Sequence, residues 1–482
     1  MGVYSGIISR MRLLFPVSQK PRILLFFIAI PVGIIASALS GIGFVWNSSA
    51  LLTAGSIIWL AWFALLFLIA LPATDKLLQN QIRWLRTAAL AIIVFFLAGG
   101  LAELVAVSAI GLEWFQTDRL DEKTSQLITS FDHVFGYNDA TALCHQATEN
   151  LIAGDNPYAQ ANVVSAMIEF DGPFDKLTPL REGRFAQVFP YPGTDEIEKL
   201  WQEASENPEQ VPLELESNLG YPAGCFLLPA PFVLLGMDDL RLVYLIFILL
   251  ALVYTVLAAP RNTRLLLIAA LLISLELWNS VAGGETGSLI FPFLLLGWVL
   301  PRRHLWLSAL FMGIAVATKQ VAWFFMPFYL ILIFRTMGLK RMLSALGIVS
   351  GVFIITNAPF IISNPMLWAS SVLSSMTDNL FPLGVGIITL VTGGILGTQS
   401  SLIFSLLELC VLALAIIWYF RYCPRYPHTG PILAILPLFF AWRSLWPYFF
   451  YADIIVLAAI IINDYGTESL QPDAVLSPPE KL

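Results

Sequence analysis

The chain has 482 residues, 58% of them apolar and only 12% charged, with 33 Asp and Glu against 26 Lys and Arg for a net charge of −7. Uncharged runs long enough to cross a bilayer recur from end to end, which excludes a soluble globular protein and predicts an all-α polytopic membrane protein. The charge is divided unevenly: residues 111–222 hold 20 of the acidic and 6 of the basic residues, net −14, leaving +7 for the rest. That asymmetry argues against nucleic acid as a partner.

The first apolar run, Ile23 to Trp46, is too long for a signal-peptide core and has no small-residue cleavage site after it, so it is expected to stay as a helix with no part removed. Further spans are expected at about 50–72 and 87–110. Arg10, Arg12, Lys20 and Arg22 precede the first span, and Lys76, Arg83 and Arg86 separate the second from the third. The positive-inside rule puts both groups in the cytosol, so the third span leads outward. Residues 1–110 thus read as a three-helix membrane segment and 111–221 as one large acidic extracytoplasmic loop.

Arg261/Arg264, Arg302/Arg303, Arg335/Lys340/Arg341 and Arg421/Arg425 are expected in the cytosol as well. Residues 222–237 and 384–398 must then dip in and return, before crossings at about 242–259 and 401–420. The stretch 305–335 carries Thr318-Lys319-Gln320 at its middle and reads as a hairpin with Lys319 toward the outer side. Final spans at about 431–445 and 447–463 close a multi-helix domain over 222–463. The tail 464–482 reads as disordered and cytosolic. The total is 11–13 helices in a plasma (inner) membrane, both termini in the cytosol. Pro222, Pro229, Pro231, Pro327, Pro359 and Pro382 break the apolar segments, and broken helices are tolerated only where protein or a water-filled cavity takes up the freed backbone groups.

Within the loop, Ala140, Leu143, Cys144, Ala147 and Leu151 recur at helical spacing, with Asn138 or Asp139 suited to cap the start and Gly154 the end. The four cysteines, Cys144, Cys225, Cys410 and Cys423, show no metal-ligand spacing. Cys144 and Cys225 are the two that can meet on the outer side.

Tyr137-Asn138-Asp139, the helix after it, and Gly154-Asp155-Asn156-Pro157-Tyr158 resemble the catalytic-loop pattern of the GT-C superfamily of membrane glycosyltransferases, especially its polyprenol-phosphate-sugar-dependent, mannosyltransferase-like group. Gly220-Tyr221-Pro222, with Ala223 where a second proline is usual, is similar to that group's entry to an apolar segment. Gly313-Ile314-Ala315, Lys319, Pro327, Asn357-Ala358-Pro359-Phe360, Pro365 and Trp368 follow in the group's order. The resemblance implies a GT-C-like bundle that takes a sugar, mannose or another hexose or pentose, from a polyprenyl-phosphate donor to a lipid or glycan acceptor at the outer face.

A phosphate whose charge is neutralised is a good leaving group, so an inverting transfer needs one carboxylate base for the acceptor hydroxyl and cations for the phosphate. Asp139 is the expected base, with Asp132 in reserve. Lys319 and Arg443 are the expected phosphate ligands, because charges at membrane depth are functional by default. Tyr158, Tyr221, Glu276 and Glu285 are expected to line the substrate cavity. Arg181 and Arg184 are expected to balance the acids of the loop, and Glu408 to bond between helices. No cofactor is assigned; Asp132 and His133 with Asp139 are the candidate set for a divalent cation, Mg or Mn. A transporter or flippase of lipid-linked or polyanionic substrates is the rival reading, although no inverted repeat is visible.

Overall fold

The computed structural model describes residues 20–111 and 136–465. The protein is a helical, multi-pass membrane protein. Its chain begins with helices α1 (Pro21–Val45), α2 (Ser49–Ala70) and α3 (Ile82–Gly111). The acidic segment contributes α4 (Asp139–Ala153), α5 (Val163–Glu169) and α6 (Thr194–Ser205). The remainder supplies α7 (Leu240–Ala258), α8 (Arg264–Leu272), α9 (Leu275–Ala282), α10 (Gly287–Val299), α11 (Leu305–Val316), α12 (Val321–Met337), α13 (Leu339–Ser363), α14 (Ser401–Tyr422) and α15 (Ala452–Ile460).

Among the described residues seven helical segments are long and apolar enough to span, or eight if α8 and α9, bent by 50°, count as one. Five more apolar segments are only 10–17 residues long, among them Gly224–Val233, α10, α11 and α12. The expected 11–13 helices are reached only by including these short segments. Of these, α10 is the most enclosed: nearly every one of its residues is buried. At the C-terminal end, expected as spans 431–445 and 447–463, helix gives way after Phe440 to an extended stretch, and the long span runs from Trp446 to Asp464.

The broken segments supply each other's backbone partners. Gly224 donates to the Ala317 carbonyl (2.8 Å), and Gln320 Nε2 donates to the carbonyls of Gly220 and Val372 (2.6 Å each). The Ala223 N–H, at the start of the short helix 224–227, reaches Asn357 Oδ1 (2.9 Å), to which Trp368 Nε1 also donates (3.2 Å). This is how irregular backbone survives at membrane depth.

From 136 to 221 the acidic segment is a folded helical domain. The exposed faces of α6 are polar, and Ile197, Leu200 and Ala204 turn inward at helical spacing; burying a leucine such as Leu200 contributes about 1.5–3 kcal/mol. Its core does not end at residue 221: Tyr137, Tyr158 and Leu200 share one apolar cluster with Phe226, Tyr244, Leu289 and Phe381 of the membrane part. The acidic domain therefore shares a core with the bundle.

Candidate active site

Asn138 caps α4, its Oδ1 accepting from Thr141 N (2.9 Å), and Gly154 ends the helix with φ +91°. Because Asn138 holds the cap, Asp139 falls inside the first turn, where its Oδ1 accepts the neighbouring Ala140 N–H (2.7 Å). It is 8% exposed. Burial pushes its pKa above the usual carboxylate range; Thr178, the Ala140 N–H and the nearby positive charge of Arg443 oppose that shift.

Arg443 is placed by an unusual element. Residues Leu383–Gly384 (β1) pair in parallel with Arg443–Ser444 (β2), the sole two-stranded ladder among the described residues. Gly384 has φ +133°, and a Cβ there would run into the Ser444 backbone, so only glycine permits the approach. The Arg443 side chain carries a buried Nη1 with no hydrogen-bond partner among the described residues. Its charge is felt by Asp139, Tyr191 and Tyr448.

Lys319 lies in the turn between α11 and α12, outside the helices, on the side facing the acidic domain. Its ammonium donates to Thr286 Oγ1 and sits 5.2 Å from the Tyr221 ring centre. Burial lowers its pKa to about 8 against the opposing effect of Glu285. Glu285, in the turn before α10, is pushed up by burial, with Lys319 and Lys176 opposing. Asn138 reaches the Glu285 carboxylate, and Asp139 lies within its electrostatic range. Five expected residues thus converge on one seam: Asp139, Arg443, Lys319, Tyr221 and Glu285.

Two others are placed differently. Tyr158 donates from its hydroxyl to the Tyr221 carbonyl (2.9 Å) and packs against Phe226 and Phe360, so it supports Tyr221 from behind. Glu276 lies apart among the membrane helices, near Ser37 of α1 and Asp453 of α15. Asp132 and His133 lie outside the described residues. Arg184 pairs with Glu203 (2.8 Å) and Glu214 (3.5 Å), and Arg181 with Gln399 (3.1 Å), so both are engaged within the fold. Cys144 and Cys225 are neighbouring buried free thiols. Among the described residues no group of three or more His, Cys, Asp or Glu is arranged to hold a metal ion.

Thr178, Tyr191, Thr286 and Tyr448 complete the surroundings, and none was expected from the sequence. They are neutral residues in irregular stretches, without periodicity or misplaced charge to mark them. No protein-family model, no curated protein and no solved structure matches the chain.

Proposed function

We propose that the protein is a GT-C-type glycosyltransferase that moves a sugar from a polyprenyl-phosphate donor to an acceptor hydroxyl at the outer face of the plasma membrane. The observation that carries the reading is that Asp139 lies within the electrostatic range of Arg443, and Glu285 within that of Lys319, at the seam between a water-facing domain and a lipid-facing bundle. A substrate with a lipid tail and a charged, hydroxyl-rich head needs such a place.

In the proposed reaction the acceptor oxygen attacks the anomeric carbon from the face opposite the phosphate. The bond between that carbon and the phosphate oxygen breaks, its electrons leave with the polyprenyl phosphate, and the anomeric configuration inverts. Asp139 accepts the acceptor proton; its raised pKa makes it a stronger base than a solvated carboxylate, while Arg443 keeps the ionised form accessible. The Arg443 guanidinium, with a donor to spare, and the Lys319 ammonium take the charge that develops on the phosphate. In this reading Glu285 and Tyr221 contact the sugar. If a divalent cation takes part, Asp139 is the described residue positioned to meet it.

The test is a reconstituted assay of the purified protein in lipid with labelled polyprenyl-phosphate mannose, glucose and arabinose and a mixed membrane-lipid acceptor. Transfer from at least one donor is expected. Tight binding without transfer, together with movement of the donor across vesicles, would replace the reading with that of a flippase.

A further inference from the structure

Thr286 opens α10 yet does not cap it. A threonine at a helix start ordinarily turns its hydroxyl onto the first free N–H groups; here φ −60° and ψ −18° are already helical, and the side chain makes no capping bond. Other buried threonines return the hydroxyl to their own helix, Thr148 to the Cys144 carbonyl and Thr255 to that of Ala251. The Thr286 hydroxyl instead accepts from the Lys319 ammonium, 33 residues along the chain, and both side chains are buried.

That acceptor is neutral. The other contact of the ammonium, the Tyr221 ring with its centre 5.2 Å away, is a neutral π face. Glu285 is within electrostatic range of Lys319 but forms no ion pair with it. An ammonium carries three donors, so one held by a hydroxyl and a ring keeps both its charge and a free N–H for a ligand. A paired carboxylate would have cancelled that charge within the fold.

The bond also fixes where the charge stands. On one side, the turn bearing Lys319 is held by Gly224, which donates to the Ala317 carbonyl (2.8 Å), and by Gln320, which donates to the carbonyls of Gly220 and Val372. On the other, the turn before α10 is tied to α4, because Thr141 Oγ1 donates to the Gly284 carbonyl. Thr141 lies two residues beyond Asp139, so Thr286 joins the turn carrying the cation to the helix carrying the base.

We infer that Thr286 is a positioning residue for Lys319: its hydroxyl, released from capping α10, holds the ammonium beside the Tyr221 ring for the phosphate of a lipid-linked sugar and keeps it in register with α4. The inference rests on the glycosyl-transfer reading and adds the residue through which the phosphate-binding charge is held. The group recognised is a phosphate, whether lipid head or free ion.

The experiment measures binding of decaprenyl phosphate and of inorganic phosphate to the full-length protein in lipid nanodiscs, by tryptophan fluorescence as a function of pH. Thr286→Val keeps the shape and removes the acceptor, so decaprenyl phosphate should bind about tenfold or more weakly, the scale of a lost hydrogen bond to a charged group. Thr286→Ala makes the same measurement should Val not fold. Wild-type affinity should decline as pH rises through about 8, where Lys319 loses its proton. The titratable groups around the ammonium are Glu285, Cys144, Cys225 and Tyr221, so Lys319→Met, which should abolish the decline, assigns it. Thr286 bonds to the charged form, and its loss should therefore move the decline to lower pH by about one pH unit, the equivalent of that tenfold. Thr286→Ser, which keeps the hydroxyl, should restore both affinity and limb. Because Thr286 acts through Lys319, adding Thr286→Val to Lys319→Met should weaken binding no further. Wild-type affinity with an unmoved decline in Thr286→Val overturns the inference, as do an additive loss in the double variant, failure of Ser to restore, or a wild type that binds neither probe. Loss on decaprenyl phosphate alone places a lipid head at Lys319, and loss on both probes admits the free ion; each supports the positioning role. Should the wild type transfer sugar while Thr286→Val binds normally, only the inference falls; should phosphate binding depend on Thr286 with no donor giving transfer, the transferase reading falls instead.

Discussion

Replacing Asp139 by Asn separates a chemical role from a structural one because Asn138 already caps α4. The substitution preserves size and an acceptor for the Ala140 N–H while removing the charge and the capacity to take a proton. Proton transfer by a positioned base contributes about 10²–10⁴-fold, so transfer should fall at least about a hundredfold, roughly 3 kcal/mol in the barrier. Stability should hold or rise: burial raises the pKa of Asp139, so its ionised form opposes folding at neutral pH, and Asn relieves that. The wild-type rate should drop as pH falls through the raised pKa, giving an acid limb above the usual carboxylate range. Arg443 counteracts the shift, so Arg443→Gln should move that limb to higher pH. The assay is initial transfer rate against pH in nanodiscs, with unfolding midpoints measured in parallel and Asp132→Asn as a control that keeps most activity. An Asp139→Asn protein with normal rate and an unchanged acid limb would refute the assignment of the base.

Lys319→Met keeps length and apolar bulk while losing one charge-assisted contact, so donor KM should rise about tenfold or more; wild-type donor affinity should also weaken as pH rises through about 8, where Lys319 loses its proton, and a flat profile would return it to a packing role. Gly384→Ala forces a Cβ into the Ser444 backbone and should displace Arg443, costing about 1–3 kcal/mol of local strain and most of the activity; an active, equally stable variant would show that the β1–β2 pairing does not set the site. Burial and the adjacent Asp378 raise Glu216 from 4.5 to about 8, so the folded chain retains a proton that the unfolded chain releases across that interval, and stability should fall as pH rises from 4.5 to 8. Glu216→Gln should flatten that slope in thermal melts; an unaltered slope assigns it to other groups. Single cysteines placed in 160–215 of a cysteine-free protein should react with an impermeant thiol reagent in intact cells, and labelling only after lysis would invert the topology.

What the sequence made legible was charge that composition alone would forbid. Lys319 and Arg443 stand out because they interrupt apolar stretches, and Asp139 because it opens an amphipathic helix with its own stop signal. Glu285 was visible for the same reason, whereas Glu276, equally conspicuous, lies near Ser37 and Asp453 among the membrane helices. The first three spans were readable from their length, and the hairpin around Lys319 from its central polar triplet. The long helices were fewer than expected because hydropathy cannot distinguish lipid contact from burial by protein: α10 is as apolar as a span yet only 13 residues long and enclosed on all sides. The β1–β2 pairing left no trace, since two residues from each of two distant loops carry no periodicity.

The bonds between the two interrupted segments also bear on how the chain is made. Gln320, which answers the carbonyl of Gly220, is 100 residues downstream of it, and Ala317, which receives the Gly224 N–H, follows that glycine at almost the same distance. At synthesis rates of about 5–20 residues per second, the first broken segment waits roughly 5–20 s for its partner. Throughout that interval its bare backbone groups are incompatible with hydrocarbon. Residues 220–233 must therefore linger at the membrane surface or within the insertion machinery, and the pocket for Lys319 and Tyr221 closes only when the second half of the bundle arrives.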